Sequence, residues 1–140
     1  MKLKFKKLSA DSKNPSYAHT SDAGFDLYCT QDLEIKPHER KSVSTGIAIE
    51  IPYGYVGLIW DKSGLSQKFG LKVFGGVIDS GYRGEILVGL MNLSDTVFKF
   101  EKGHKIAQLL IQKIETADFE EVEELSGSDR GGNGFGSTGK

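Results

Sequence analysis

The stretch GGVIDSGYRGEI, residues 75–86, sets a carboxylate, Asp79, directly after an apolar run and directly before a turn that carries Tyr82 and Arg83. A carboxylate at the end of a strand is well placed to orient or deprotonate a water molecule. The same composition also makes an ordinary turn, since Asp, Ser and Gly are common turn residues. A second carboxylate, Asp26, stands between Phe25 and Leu27 in SDAGFDLYCT, whereas Asp22 belongs to the turn before it. A charge among apolar neighbours has to be paired, solvated or linked to a metal, because an unpaired buried carboxylate is costly. Strand alternation would equally turn Asp26 toward water. In IWDKSGLSQK, Lys62 and Ser63 precede Gly64, a composition whose hydroxyl and backbone N–H groups can surround a phosphate and which surface loops share.

The tail RGGNGFGSTGK, residues 130–140, has five glycines among its eleven residues and a single aromatic, Phe135. Glycine gives up more backbone freedom on ordering than any other residue, and one ring cannot offset that loss within the segment. From Ser126 onward no long aliphatic side chain is available to anchor a core, so residues 1–125 read as the folded domain and 126–140 as a mobile arm. The tail matches G-x-G-x-x-G from Gly134 to Gly139, but only one residue follows, where a dinucleotide site needs a strand before and a helix after. Nor is it a Walker loop, because Gly136 is followed by Ser137 and not by Lys.

His19, His38 and His104 lie far apart without ligand spacing, and Cys29 is the only cysteine, so a Cys-pair zinc site is excluded. Magnesium asks for less, one or two carboxylates plus substrate oxygens, and Asp26 could supply one through water.

These residues need a scaffold, and 140 residues suffice for one domain with a core. The 18 Lys and Arg nearly balance the 19 Asp and Glu, for a formal charge of −1, so no global positive field would recruit nucleic acid or an anionic membrane. A lone cysteine rules out an internal disulfide framework and suits a reducing, cytoplasmic setting. The opening MKLKFKKL alternates Lys with Leu and Phe and reads as a strand rather than a signal peptide, and no run of about 18 apolar residues is present.

Short runs rich in Val, Ile, Phe and Tyr recur about every ten residues: LKFKKL, GFDLYC, LEI, SVSTGIAIEI, YVGLIW, KVFGGVI, EILVGLMNL, VFKFE, KIAQLLIQKI and FEEVEEL. That spacing predicts an all-β sandwich or barrel. Ile47, Ile49 and Ile51 share one face of a strand, EVEEL alternates weakly, and Trp60 after Leu58-Ile59 reads as core filling. Only residues 63–71 can make a helical turn or two, with Ser63 as a cap and Gly70 as a stop. KIAQLLIQKI has helical propensity, but its place between VFKF, the turn EKGH and the tail favours a strand.

Taken in order, these stretches resemble the five motifs of the trimeric dUTP diphosphatase (dUTPase) family. Ala23-Gly-Phe-Asp-Leu-Tyr28 resembles the first, Asp61-Lys-Ser-Gly-Leu65 the second, Gly76-Val-Ile-Asp-Ser-Gly-Tyr-Arg-Gly84 the third, Lys102-Gly-His-Lys-Ile-Ala-Gln108 the fourth and Arg130 to Gly139 the fifth. The resemblance implies a distorted jelly roll, assembled as a homotrimer with active sites at subunit contacts. It implies hydrolysis of dUTP to dUMP and pyrophosphate by water attack on the α-phosphorus, with magnesium as cofactor.

By that resemblance Asp79 activates the water, Tyr82 lies against the deoxyribose, and a hairpin around Leu71 to Gly76, continuing to Val77, reads the uracil edge through its backbone. Asp26 holds magnesium through water, Lys62, Ser63 and Gly64 form the phosphate turn, and Gln108 belongs to the phosphate and water site. The tail becomes an arm that closes over a neighbouring subunit's nucleotide: Phe135 stacks on uracil, Arg130 pairs with phosphate, and Gly136, Ser137 and Thr138 wrap the γ-phosphate. Four positions depart from the common pattern: Asp61-Lys62 stands for Pro-Arg, Gly81 and His104 each for Asp, and Asn133 for Gly. The related dCTP deaminases fit less well, because their catalytic glutamate falls at Gly89 and their Arg at Gln67.

Overall fold

In a computed structural model the chain is described over residues 1–133. Strands β1 (Lys4–Lys7), β2 (Gly24–Tyr28), β3 (Leu33–Ile35), β4 (Arg40–Ser44), β5 (Ile47–Glu50) and β6 (Tyr55–Trp60) lead to a helix, α1 (Ser63–Phe69). After it come β7 (Leu71–Phe74), β8 (Val77–Ile78), β9 (Leu87–Asn92), β10 (Phe98–Phe100) and β11 (Lys105–Lys113). All pairings between them are antiparallel. The strands form a four-stranded sheet in the order β2-β11-β6-β8, a three-stranded sheet β4-β9-β7, and the pairs β1-β5 and β10-β3. The architecture is all-β, a jelly roll broken into short sheets.

Period-two sequence patterns account for most of this. Ile47, Ile49 and Ile51 are buried with Leu27, Ile35, Val88, Leu90, Ile106 and Leu109 in one core between the sheets. KIAQLLIQK is β11, the central strand that pairs β2 on one side and β6 on the other, so its propensity for helix is overridden by two ladders of backbone hydrogen bonds.

Several expectations need correction. α1 begins after Lys62, which stands at the N-cap without a side-chain bond, so Ser63 is the first helical residue and not the cap. Gly70 does end the helix, at φ 69°. KVFGGVI is neither one strand nor a hairpin: β7 pairs with β9 and β8 with β6, so the segment crosses from one sheet to the other. Trp60 is 53% exposed, because β6 turns Gly57 and Ile59 inward and leaves Leu58 and Trp60 on the opposite face. FEEVEEL forms no strand; Phe119 and Leu125 lie on the surface, and among the described residues no strand pairs with them.

Candidate active site

Asp26 is 3% exposed at the middle of β2, with Phe25 and Leu27 turned into the core. Its N–H donates to the Ser16 carbonyl at 2.8 Å, which covers the outer edge of β2. The carboxylate is doubly paired: Lys62 Nζ donates to Oδ1 at 2.5 Å, and Lys105 Nζ lies 2.6 Å from Oδ2. The second contact is an ion pair off hydrogen-bond alignment, so Oδ2 keeps an unfilled acceptor among the described residues. Burial alone would push the Asp26 carboxyl up, but the contacts and charges of Lys105 and Lys62 outweigh it and hold it below the ordinary carboxylate range. The same contact raises Lys105 above the usual lysine value, against its desolvation.

A bulge brings this cluster together. Gln108 stands opposite Asp26 and Lys105 opposite Tyr28, with a register shift between Lys105 and Ala107. Residues three apart on a regular strand face opposite sides, whereas the extra residue in β11 turns Lys105 and Gln108 to the face that carries Asp26. Ile106 and Ala107, buried one after the other, are its signature. The sequence reading missed Lys105 as a partner of Asp26, because alternation cannot show a bulge.

Across β11, Gln108 is level with Trp60, and its Nε2 donates to the Asp61 carbonyl at 2.9 Å. A Cβ at Gly24 would lie 2.9 Å from Gln108 Oε1, so the side chain rests against the β2 backbone. Asp26, Gln108, Lys62 and Lys105 therefore form one group, and Ser63 and Gly64, which follow Lys62, are the first residues of α1 and not the turn the sequence suggested. Asp26 is the one carboxylate this group could offer a magnesium ion, through water and with substrate oxygens completing the shell, and Lys62 and Lys105 already meet both of its oxygens. Among the described residues no three His, Cys, Asp or Glu side chains gather as a metal cage.

Asp79 belongs to a second group. It is exposed, follows β8 directly and accepts no side-chain hydrogen bond among the described residues. Tyr82 N–H donates to the Asp79 carbonyl at 3.1 Å and closes the turn, which Arg83 braces by donating to the Ser80 and Tyr82 carbonyls at 2.6 and 2.9 Å. The Tyr82 hydroxyl donates to the Glu85 carbonyl at 2.9 Å, and Glu85 accepts from Ser44 Oγ and, at 2.7 Å, from Gly46 N–H. Glu85, unnoticed in the sequence, thus anchors the ring's neighbourhood to β4 and the turn after it. Val77, Ile78, Asp79, Tyr82, Glu85 and Leu87 line a depression of about 200 Å³. A larger cavity of about 400 Å³, between Met1, Leu3, Phe5, Pro15, Tyr17, Phe25 and Ile111, contains no carboxylate, histidine or lysine.

Within the chain the two groups are apart. Asp79 follows the Ile78–Gly57 pair and so stands level with Val56, four residues along β6 from Trp60, while β2 and β8 lie on opposite sides of the sheet. Strand rise and spacing then separate Asp26 and Asp79 by roughly 19 Å. Gly76, by contrast, lies against β6 near Trp60, its carbonyl accepting Ile59 N–H at 2.8 Å.

Arg130 is exposed and donates from Nε to the Asn133 carbonyl at 2.7 Å. Phe135, Gly136, Ser137 and Thr138 lie outside the described residues.

Comparison with known proteins gives these groups a family. The family model described as dUTPase matches residues 10–139. The deoxyuridine 5'-triphosphate nucleotidohydrolase of Nautilia profundicola is 49% identical over 142 aligned positions that cover all of both chains. The structure of Staphylococcus bacteriophage 80alpha dUTPase with dUPNHPP superposes with a TM-score of 0.94 at 34% identity, covering 99% of each chain. A variant dUTPase from phage phi11 of S. aureus, described with the coordination of a structural Mg(II) ion, superposes at 0.85 with 28% identity over 91% of this chain and 100% of that one. A family match over nearly the whole chain, joined to a full-length relative of this identity, places the chain in the dUTPase family.

Proposed function

We propose that this chain hydrolyses dUTP to dUMP and pyrophosphate, with Asp79 directing the attacking water. The observation that carries the assignment is the Asp79 carboxylate itself: exposed, free of side-chain hydrogen bonds among the described residues, and set at the end of β8 beside a braced Tyr82. The water oxygen bonds to the α-phosphorus, the bond from that phosphorus to the oxygen bridging to the β-phosphorus breaks, pyrophosphate leaves, and Asp79 takes the water's proton. The Tyr82 ring lies against the deoxyribose, where a ribose 2′-hydroxyl would clash. Backbone groups from Leu71 to Val77, Gly76 among them, read the uracil edge.

Lys62, Ser63 and Gly64 receive phosphate oxygens, and Gln108, seated on the Asp61 carbonyl, orders the phosphate and water site. Asp26 would hold magnesium through its water shell, where the ion would supply charge neutralisation to the phosphates. Lys105 keeps the Asp26 carboxylate ionised and fixed. A positioned base contributes about 10²–10⁴-fold, and each preorganised donor at developing charge about 10²–10³-fold, so the phosphate-side groups together outweigh Asp79.

We further propose a homotrimer whose sites are shared between subunits. The roughly 19 Å between Asp26 and Asp79 in one protomer supports this, as do the exposed apolar side chains of Trp60, Phe74, Val77 and Leu87 around the two groups. Residues 126–140 act as the arm, with Arg130 on phosphate, Phe135 on uracil, and Gly136, Ser137 and Thr138 around the γ-phosphate. Closure excludes water and strengthens each charged contact inside.

The test is Asp79→Asn with dUTP and magnesium. Nucleotide binding is retained and pyrophosphate release falls by at least about a hundredfold; turnover equal to that of the unaltered protein refutes the role of Asp79.

A further inference from the structure

A backbone segment can read a base edge only if it is held at a fixed height, and β6 holds the crossing between β7 and β8 at two points. At Gly76 the contact is backbone on backbone: Ile59 N–H donates to the Gly76 carbonyl at 2.8 Å, and a Cβ at Gly76 would lie 2.6 Å from the Ile59 carbonyl oxygen. At Val73 the contact is made by a side chain. β7 is the edge strand of its sheet, and the Val73 N–H donates to Asp61 Oδ1 at 2.6 Å. Lys72 Nζ donates to Asp61 Oδ2 at 2.7 Å, so both carboxylate oxygens are used. Asp61 is itself seated, its carbonyl accepting from Gln108 Nε2 at 2.9 Å.

We propose that Asp61 is a positioning residue for base selection, a latch that fastens the edge of β7 to the end of β6 and sets the height of the Val73–Gly76 backbone. The inference rests on the reading that this backbone meets the uracil edge. The position is one where the family pattern has Pro, which carries no acceptor in its side chain. Here a charge-assisted bond between two sheets replaces the local stiffness of a ring.

The experiment compares Asp61→Ala, Asp61→Asn and Gly76→Ala, measuring kcat and KM for dUTP, dTTP and dCTP, together with amide hydrogen exchange at residues 71–78. With Asp61→Ala, the preference for dUTP falls about tenfold to a hundredfold, mainly through KM for dUTP, and exchange at Val73 speeds by a similar factor. Asp61→Asn keeps an acceptor for the Val73 N–H but loses the charge, and it falls between; should Asp61→Ala not fold, this variant alone decides. Unchanged exchange at Val73 and unchanged base preference in Asp61→Asn and Asp61→Ala overturn the latch. If Gly76→Ala loses base preference while the Asp61 variants keep it, the latch is wrong and the base-reading segment stands. If none of the three alters base preference, the base-reading segment is wrong and the latch falls with it.

Discussion

Asp26 is nearly inaccessible and is met by two ammonium groups, so removing either lysine has a calculable cost and removing both has a larger one. Lys62 is the better buried partner, its side chain 27% exposed against 44% for Lys105. A hydrogen bond to a charged group contributes about 1.5–3 kcal/mol. Lys62→Met leaves Lys105 in place, so the lower end applies, about 1.5 kcal/mol. The more exposed Lys105 is screened by solvent, and Lys105→Met costs about 1 kcal/mol. Losing both strands a buried carboxylate, at about 3–5 kcal/mol, more than the two single costs together. For a chain of this size each kcal/mol moves the melting temperature by about 2–4 °C, compared at one protein concentration.

The assay is thermal and denaturant unfolding of the two single variants and the double variant, each made in the native and in the Asp26→Asn background. With Asn at position 26 the lysine substitutions cost less than about 0.5 kcal/mol, since there is no charge left to strand. A Lys62→Met cost that is the same in both backgrounds refutes the coupling. The pH dependence has a definite sign. The folded Asp26 carboxyl titrates below its unfolded value of 3.8, so its contribution is present above that pH and is lost as pH falls through the folded value. The gap between native protein and Lys62→Met is therefore constant above about pH 5 and closes below about pH 4.

Two predictions concern the rest of the site. Deleting residues 130–140 leaves the fold intact, because among the described residues the side chain of Arg130 and the N–H groups of Gly131 and Asn133 bond only within 128–133. Turnover of dUTP then falls at least about a hundredfold, and unchanged turnover would show the tail to be a passive end. Chelating divalent cations suppresses pyrophosphate release, and added magnesium restores it; full turnover in excess chelator would remove the role given to Asp26.

The sequence alone was enough to place Asp26 in a strand and Asp79 directly after one, and to separate core from surface along most strands. Side chains on a strand alternate with period two whatever the strand pairs with, so the inward set Ile47, Ile49 and Ile51 was legible locally. The order of the five motif-like stretches was legible too, and with it the family. The tertiary structure decided how those strands meet. Lys105 reaches Asp26 only because β11 bulges against β2, a pairing between segments some 80 residues apart that leaves no local periodicity. Trp60, Asp61 and the crossing from β7 to β8 were misread or passed over for the same reason: Trp60 is exposed, Asp61 holds Val73, and β7 and β8 join different sheets. FEEVEEL has a strand's alternation but no partner edge among the described residues, and a strand is held by hydrogen bonds that only a neighbour can supply. Alternation tells which side of a strand is apolar, whereas what stands opposite each residue is settled when distant segments pack.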